Sequence, residues 1–184
     1  MKLSNKFQYI PLTNVRSIVL VAMLASLTVA GRLIFAFIPN VQPMTAIIII
    51  ISLIMGRKYG VIIAILSMIL SNLVLGMGWW TISQIIGYSI IALLTGSIMR
   101  SLFERIPHIV MSLYAACMGL LYGFIMALWQ APIYGFKYFW AYWLAGIPFD
   151  LYHAGGNFGF YFVLAPVLIP LLNKRLEKYY RVTI

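Results

Sequence analysis

Apolar runs alternate with short polar interruptions from Ile18 to Leu172, and no run shows the strict two-residue alternation of a lipid-facing barrel strand. The pattern therefore predicts membrane-spanning α-helices. Six are expected, over about 18–38, 43–55, 61–75, 81–100, 109–129 and 148–172, so that residues 1–184 form a single all-α transmembrane domain. The first run is longer than a signal-peptide core and carries no convincing small-residue cleavage site, which makes it a span. The second, MTAIIIIISLIM, falls short of the roughly 20 residues of a full span, so either its preceding turn dips into the bundle or Gln42 and Gly56 extend it. Pro43 suits the first turn of this helix, and Thr81 with Gln84 forms a capping-box signature at the start of the fourth. The stretch APIYGFKYFWAYWLAGIP reads as a long loop, and Pro166 and Pro170 as bends in the inner half of helix six.

Composition narrows the class. The chain is 64% hydrophobic and 9% charged, against roughly a quarter charged in soluble domains, and no soluble domain is left over. The net charge of +10 is a matter of placement. Eleven of the thirteen Lys and Arg residues fall at alternate ends and loops: Lys2, Lys6 and Arg16; Arg57 and Lys58; Arg100 and Arg105; Lys174, Arg175, Lys178 and Arg181. This is the positive-inside pattern of a multi-pass protein of a bacterial cytoplasmic membrane, with both termini cytoplasmic. It argues against a nucleic-acid partner. The single Cys117 can form no intrachain disulfide and is expected to pack within its helix.

The polar residues inside this apolar background carry the candidate chemistry. On the first helix Ala22, Ser26 and Ala30 recur every four residues, a spacing that lets another helix approach closely. On a helical wheel with Ala22 at zero, Ser26 and Ala30 lie at about 40° and 80°, and Arg32 at about 280°. The ladder can thus meet a partner while Arg32 points into the bundle; packing within the monomer is the competing reading. Arg32 lies roughly 9 Å below the expected helix end at 1.5 Å per residue, deep enough to mark a functional site, yet within snorkelling reach of the surface. Asp150, the only acid away from the cytoplasmic segments, is a possible partner for it.

Asp150, His153 and Asn157 share one face of helix six, and Thr81, Gln84, Tyr88 and Thr95 share one face of helix four. With Asn72 on helix three and the Asn40–Gln42 turn, they are expected to line a polar cavity open to the outside; hydrogen bonds between helices, with no ligand, are the plainer alternative. Eight of the fifteen residues from Trp129 to Trp143 are aromatic. With Trp79 and Trp80, Trp140 is expected to form a lid that stacks on a flat ligand, or else an interfacial belt. No second His or Cys lies near His153, His108 falls on the cytoplasmic side, and no nucleophile or phosphate-binding glycine motif occurs, so no catalytic or metal residue is assigned and no cofactor of its own is expected.

The helix-one ladder, Gly31-Arg32, PNVQPMT from Pro39, SNLVLGMGWWTISQ from Ser71 and GIPFDLYHAGGN from Gly146 together resemble the S-components of energy-coupling-factor (ECF) vitamin transporters, closest to the cobalamin-specific group. The resemblance implies a membrane subunit that binds a vitamin at the extracellular side and joins a transmembrane coupling protein and two ATPases, the ladder being the docking surface. The polar stripes, the turn and the aromatic residues described above give the expected ligand-binding set, Arg32, Asn40, Gln42, Asn72, Trp79, Trp80, Gln84, Tyr88, Trp140, Asp150, His153 and Asn157, and the resemblance implies cobalamin or a related corrinoid as the transported ligand. Ser26 stands where alanine is typical, and Trp79-Trp80 where a proline would precede the tryptophan. Riboflavin or another vitamin would use similar residues. A self-sufficient secondary transporter, or a membrane enzyme, would have to rely on Asp150 and His153. The absence of a Walker motif means that any ATP-driven role needs partners.

Overall fold

The structure, a computed structural model, describes residues 14–179; Lys2, Lys6 and Arg181 of the basic pattern lie outside them. Six α-helices follow in order: α1 (Val15–Ile34), α2 (Met44–Met55), α3 (Arg57–Leu75), α4 (Trp80–Ser97), α5 (His108–Tyr134) and α6 (Phe139–Tyr179). Short 3₁₀ turns at Met99–Ser101, Phe103–Arg105 and Phe136–Tyr138 complete the described elements. Among the described residues five helices are long and apolar enough to cross a membrane, and Met44–Met55 is a shorter apolar helix. The chain is a multi-pass membrane protein.

The short helix is the centre of the bundle. All twelve residues of α2 are buried, and each of the other five helices touches it. Lipid is as apolar as isoleucine, so burial of this kind is held by close packing and by satisfied backbone groups rather than by escape from water. The end of α2 shows how the second condition is met. Gly56 adopts φ 89°, a conformation that favours glycine, and turns the chain straight into α3. Arg100 donates from Nε to the Leu53 carbonyl at 3.1 Å and from Nη2 to the Ile54 carbonyl at 3.2 Å, closing the carbonyls that a helix end leaves open. Arg100, which the charge pattern marks only as a topological cation, is thus also a cap.

Several element ends depart from the sequence pattern. The first helix stops at Ile34, which puts Arg32 in its last turn rather than well inside a longer helix. From Phe35 to Val41 the chain continues in linked turns, with Ala36 N–H bonded to the Leu33 carbonyl and Val41 N–H to the Ile38 carbonyl. Asn40 sits at φ 58°, a left-handed conformation that asparagine tolerates better than most residues. The long aromatic loop is not formed: α5 runs through Pro132 to Tyr134, α6 begins at Phe139, and only residues 135–138 stand between them. Proline was a poor guide here because a membrane helix can continue past it when a neighbour satisfies the freed carbonyl. Pro166 offers no N–H to the carbonyl of Phe162, and His108 Nε2 donates to that oxygen at 2.9 Å from α5. Cys117 is exposed on α5 rather than packed.

The pair α5 and α6 packs through glycine. At Gly119 an added Cβ would lie 3.1 Å from the Ala154 Cα and 2.7 Å from Asn157 Nδ2, and at Gly123 it would overlap the Asp150 carboxylate. The GxxxG spacing on α5 therefore serves contact inside the chain. Gly119→Leu is expected to destabilise the bundle by about 1–3 kcal/mol through overpacking, read as a lower unfolding temperature in detergent. Gly159→Ala, where an added Cβ meets nothing within 4 Å, should leave that temperature unchanged.

Candidate functional site

Alternating helices place two unlike ends on the bundle. One carries the described cations Arg16, Arg57, Lys58, Arg100, Arg105, Lys174, Arg175 and Lys178; the other carries the Phe35–Pro43 turns, the Gly76–Trp79 connection and the Phe136–Tyr138 turn. The polar side chains predicted as ligand-binding gather in the half nearer the second, aromatic end.

Arg32 is their hub. Its burial leaves 9% of the residue exposed, and the C-terminal position on α1 sets the cation against the negative end of the helix dipole. Nε donates to Gln42 Oε1 at 3.2 Å. Nη1 donates to Asn72 Oδ1 at 2.7 Å and to Ser71 Oγ, and lies 3.8 Å from Met68 Sδ. Every partner is neutral; the Arg32–Asp150 pairing is not made. Behind this first set, Gln42 Nε2 donates to the Tyr88 hydroxyl at 3.0 Å. Asn72 Nδ2 donates to Thr81 Oγ1 at 2.9 Å and Gln84 Oε1 at 2.8 Å. The predicted reciprocal capping box is consequently absent: α4 starts at Trp80 with no side-chain cap, and both of its polar members turn to Asn72. A buried amide from a neighbouring helix outcompetes a local cap because its own donors would otherwise go unpaired.

The network extends to α6 through aromatic contacts. The Tyr88 and Tyr122 rings lie 4.6 Å apart, Tyr122 meets the His153 ring edge-on at 5.1 Å, and His153 Nε2 shares a 2.9 Å hydrogen bond with Thr45 Oγ1. One turn further along, Asn157 is 0% exposed, and neither its Oδ1 nor its Nδ2 has a partner. Asn40 Nδ2 donates to the Phe149 carbonyl at 3.3 Å, clasping the α1–α2 turn to α6. Thr45 and Ser71, which lie in the quoted motifs but outside the expected ligand-binding set, complete the cluster with Tyr122.

Not all predicted residues converge. Arg32, Gln42, Asn72, Thr81, Gln84 and Tyr88 bond to one another across the helices, as polar groups in a lipid-embedded bundle do, while both atoms of the Asn157 amide are left without a partner. A cleft of about 320 Å³ lies beside this polar set, between α5 and α6, with Met126, Tyr142, Trp143 and Phe149 on its walls. Asp150 is the one predicted residue that borders it. Trp79, Trp80 and Trp140 are exposed at the aromatic end. Trp79 stacks on Trp129 at 6.4 Å, while Trp140 stands in the first turn of α6 against Phe139 and Trp143. On α1, Ala22, Ser26 and Ala30 are all exposed, whereas Val21, Ala25, Thr28 and Arg32 face inward.

A bundle of apolar helices with a polar hub near one end fits a membrane subunit that holds a polar ligand. The family model described as ECF transporter, substrate-specific component, matches residues 16–165, most of the chain. The protein belongs to that family. It is a substrate-binding subunit of an ECF transporter, a class of transport subunits, not enzymes, that work with an energising module of coupling protein and ATPases. No curated protein and no solved structure matches the chain.

Asn72 is the residue whose loss should cost the cluster most, since it accepts from Arg32 and donates to α4. Asn72→Leu is expected to lower unfolding stability by about 1–3 kcal/mol by leaving buried polar groups unpaired. Leu73→Ala, one position along on the exposed side, should change it by under about 0.5 kcal/mol. Thermal unfolding of both purified variants makes the comparison.

Proposed function

We propose that this S-component captures an amphipathic vitamin at the extracellular, aromatic end and delivers it by docking through α1 on the coupling protein, which two ATPases energise. The observation that carries this reading is the two-sidedness of α1. One face presents the exposed ladder Ala22, Ser26 and Ala30, and the other buries Arg32 in the polar hub. Small side chains permit close helix–helix approach in lipid, so a single rigid rod links the docking surface to the ligand end. The concentration of cations at the opposite end supports the extracellular assignment of the aromatic end.

A corrinoid is the first ligand to test. The motifs around Pro39, Ser71 and Gly146 resemble the cobalamin-specific group, and the residues of the ligand set offer amide groups at Asn40, Gln42, Asn72, Gln84 and Asn157 with exposed indoles at Trp79, Trp80 and Trp140. Amides suit the acetamide- and propionamide-rich rim of a corrin ring, and indoles its flat face. Asp150 and His153 complete the set on α6.

The test is uptake by cells that express the chain together with a coupling protein and two ATPases. Labelled cobalamin should accumulate, with labelled riboflavin as the competing vitamin. Ala22→Trp and Ser26→Trp are expected to abolish co-purification with the coupling protein while leaving ligand binding intact; full assembly by both would refute the docking face. Trp79→Ala and Trp140→Ala should weaken binding by about tenfold each, the scale of roughly 1.4 kcal/mol for a lost stacking contact. Unchanged affinity in both would mark them as interfacial anchors.

A further inference from the structure

We infer that the ligand carries an oxyanion, a carboxylate or a phosphate, that is met by the guanidinium of Arg32; this deepens the functional reading above and rests on it. The argument begins with a shortage. The chain contains three acidic residues, Glu104, Asp150 and Glu177. Glu104 belongs to the Phe103–Arg105 turn and Glu177 to the end of α6, both at the basic end. Asp150 packs over Gly123 on α5 and borders the neighbouring cleft. No side chain of this protein is left to neutralise Arg32.

The hydrogen bonds of Arg32 show the same deficit at the level of atoms. Nε and Nη1 are engaged by Gln42, Ser71, Asn72 and Met68, all neutral. Among the described residues nothing accepts from Nη2. Guanidinium keeps its charge at any physiological pH and offers its donors in a fixed fork that matches carboxylate and phosphate. The α1 dipole contributes only about half an elementary charge at its C-terminus, which leaves much of the positive charge unmatched. A buried cation whose Nε and Nη1 meet only neutral acceptors while Nη2 is free is oriented but not neutralised, and an incoming oxyanion at Nη2 supplies what is missing.

The acceptors also explain why the free Nη2 stays in place. Ser71 donates its hydroxyl to the Ser67 carbonyl at 2.6 Å, and Asn72 is held by Thr81 and Gln84. Arg32 is thus braced by α3 and α4 before any ligand arrives, which reduces the ordering cost of binding. A lipid phosphate could supply the same chemistry, so the experiment separates the two sources.

Purified full-length chain in nanodiscs of phosphatidylcholine alone is titrated with pairs that differ in the anion: pantothenate and pantothenol; biotin and biotinamide; and cobalamin against cobalamin with its phosphodiester methylated to the neutral triester. At least one acidic member should bind at least tenfold more tightly than its neutral counterpart. Arg32→Gln should erase that preference and Arg32→Lys retain part of it, with unfolding temperature and co-purification with the coupling protein checking that each variant is folded. Equal affinity for both members of every pair overturns the inference, as does an undiminished preference in Arg32→Gln. So does failure to bind any acidic member by a chain that still assembles with the coupling protein. If Arg32→Gln alters stability only in nanodiscs containing phosphatidylglycerol, the oxyanion belongs to lipid and the ligand assignment falls. A chain that binds no member of the panel and also fails to assemble refutes the underlying functional reading instead.

Discussion

The polar half of this bundle depends on one buried guanidinium held by neutral acceptors. Arg32 draws Gln42 from the turn after α1 and Ser71 and Asn72 from α3, and Asn72 in turn fixes the first two turns of α4. Four parts of the chain, α1, the turn after it, α3 and α4, are therefore registered against one another through a single side chain. Arrangements of this kind are demanding in a membrane, where a displaced polar group finds no water to replace its partner. They are also specific, because a helix rotated by one residue would aim these donors and acceptors at lipid.

The rest of the architecture serves to hold that hub at the right depth. Because α2 is surrounded on every side, the turns that precede it are drawn in beside α3 and α4, and Gly31 lets Pro43 pack directly on α1. On the far side, Gly119 and Gly123 bring α6 close enough for His153 to reach Thr45 and for the Asn40 side chain to reach the Phe149 carbonyl. The outer surface of α1 takes no part in any of this and is left with small and apolar side chains.

Much of this was legible in the sequence, for identifiable reasons. Apolar run length gives the helices, and wheel angles correctly aim Tyr88, His153 and Asn157 inward, since a polar stripe in lipid has nowhere else to go. Helix ends were less legible. Pro132 and Pro148 read as boundaries, although a bilayer penalises a broken helix more than a missing bond, and the same logic lets His108 repair the gap at Pro166. Ser71 and Thr45 fell outside the expected ligand-binding set because serine and threonine in membrane helices commonly bond to their own backbone, so nothing in their spacing marks them as reaching across. The capping box failed because sequence displays a local partner, Gln84, but not the distant amide of Asn72 that captures both its members.

The sheathed central helix has a consequence for how the protein is made. At about 1.5 Å per residue, α2 measures about 18 Å against a hydrocarbon core of about 30 Å, and it keeps no side for lipid. Such a segment is apolar enough to enter the bilayer as it leaves the ribosome, but too short to cross it alone. Its only covalent link to α3 is Gly56, a hinge one residue long, so the two are delivered as a hairpin, and α2 acquires its final neighbours only when α4, α5 and α6 have followed. The innermost helix is among the first synthesised and the last to be enclosed.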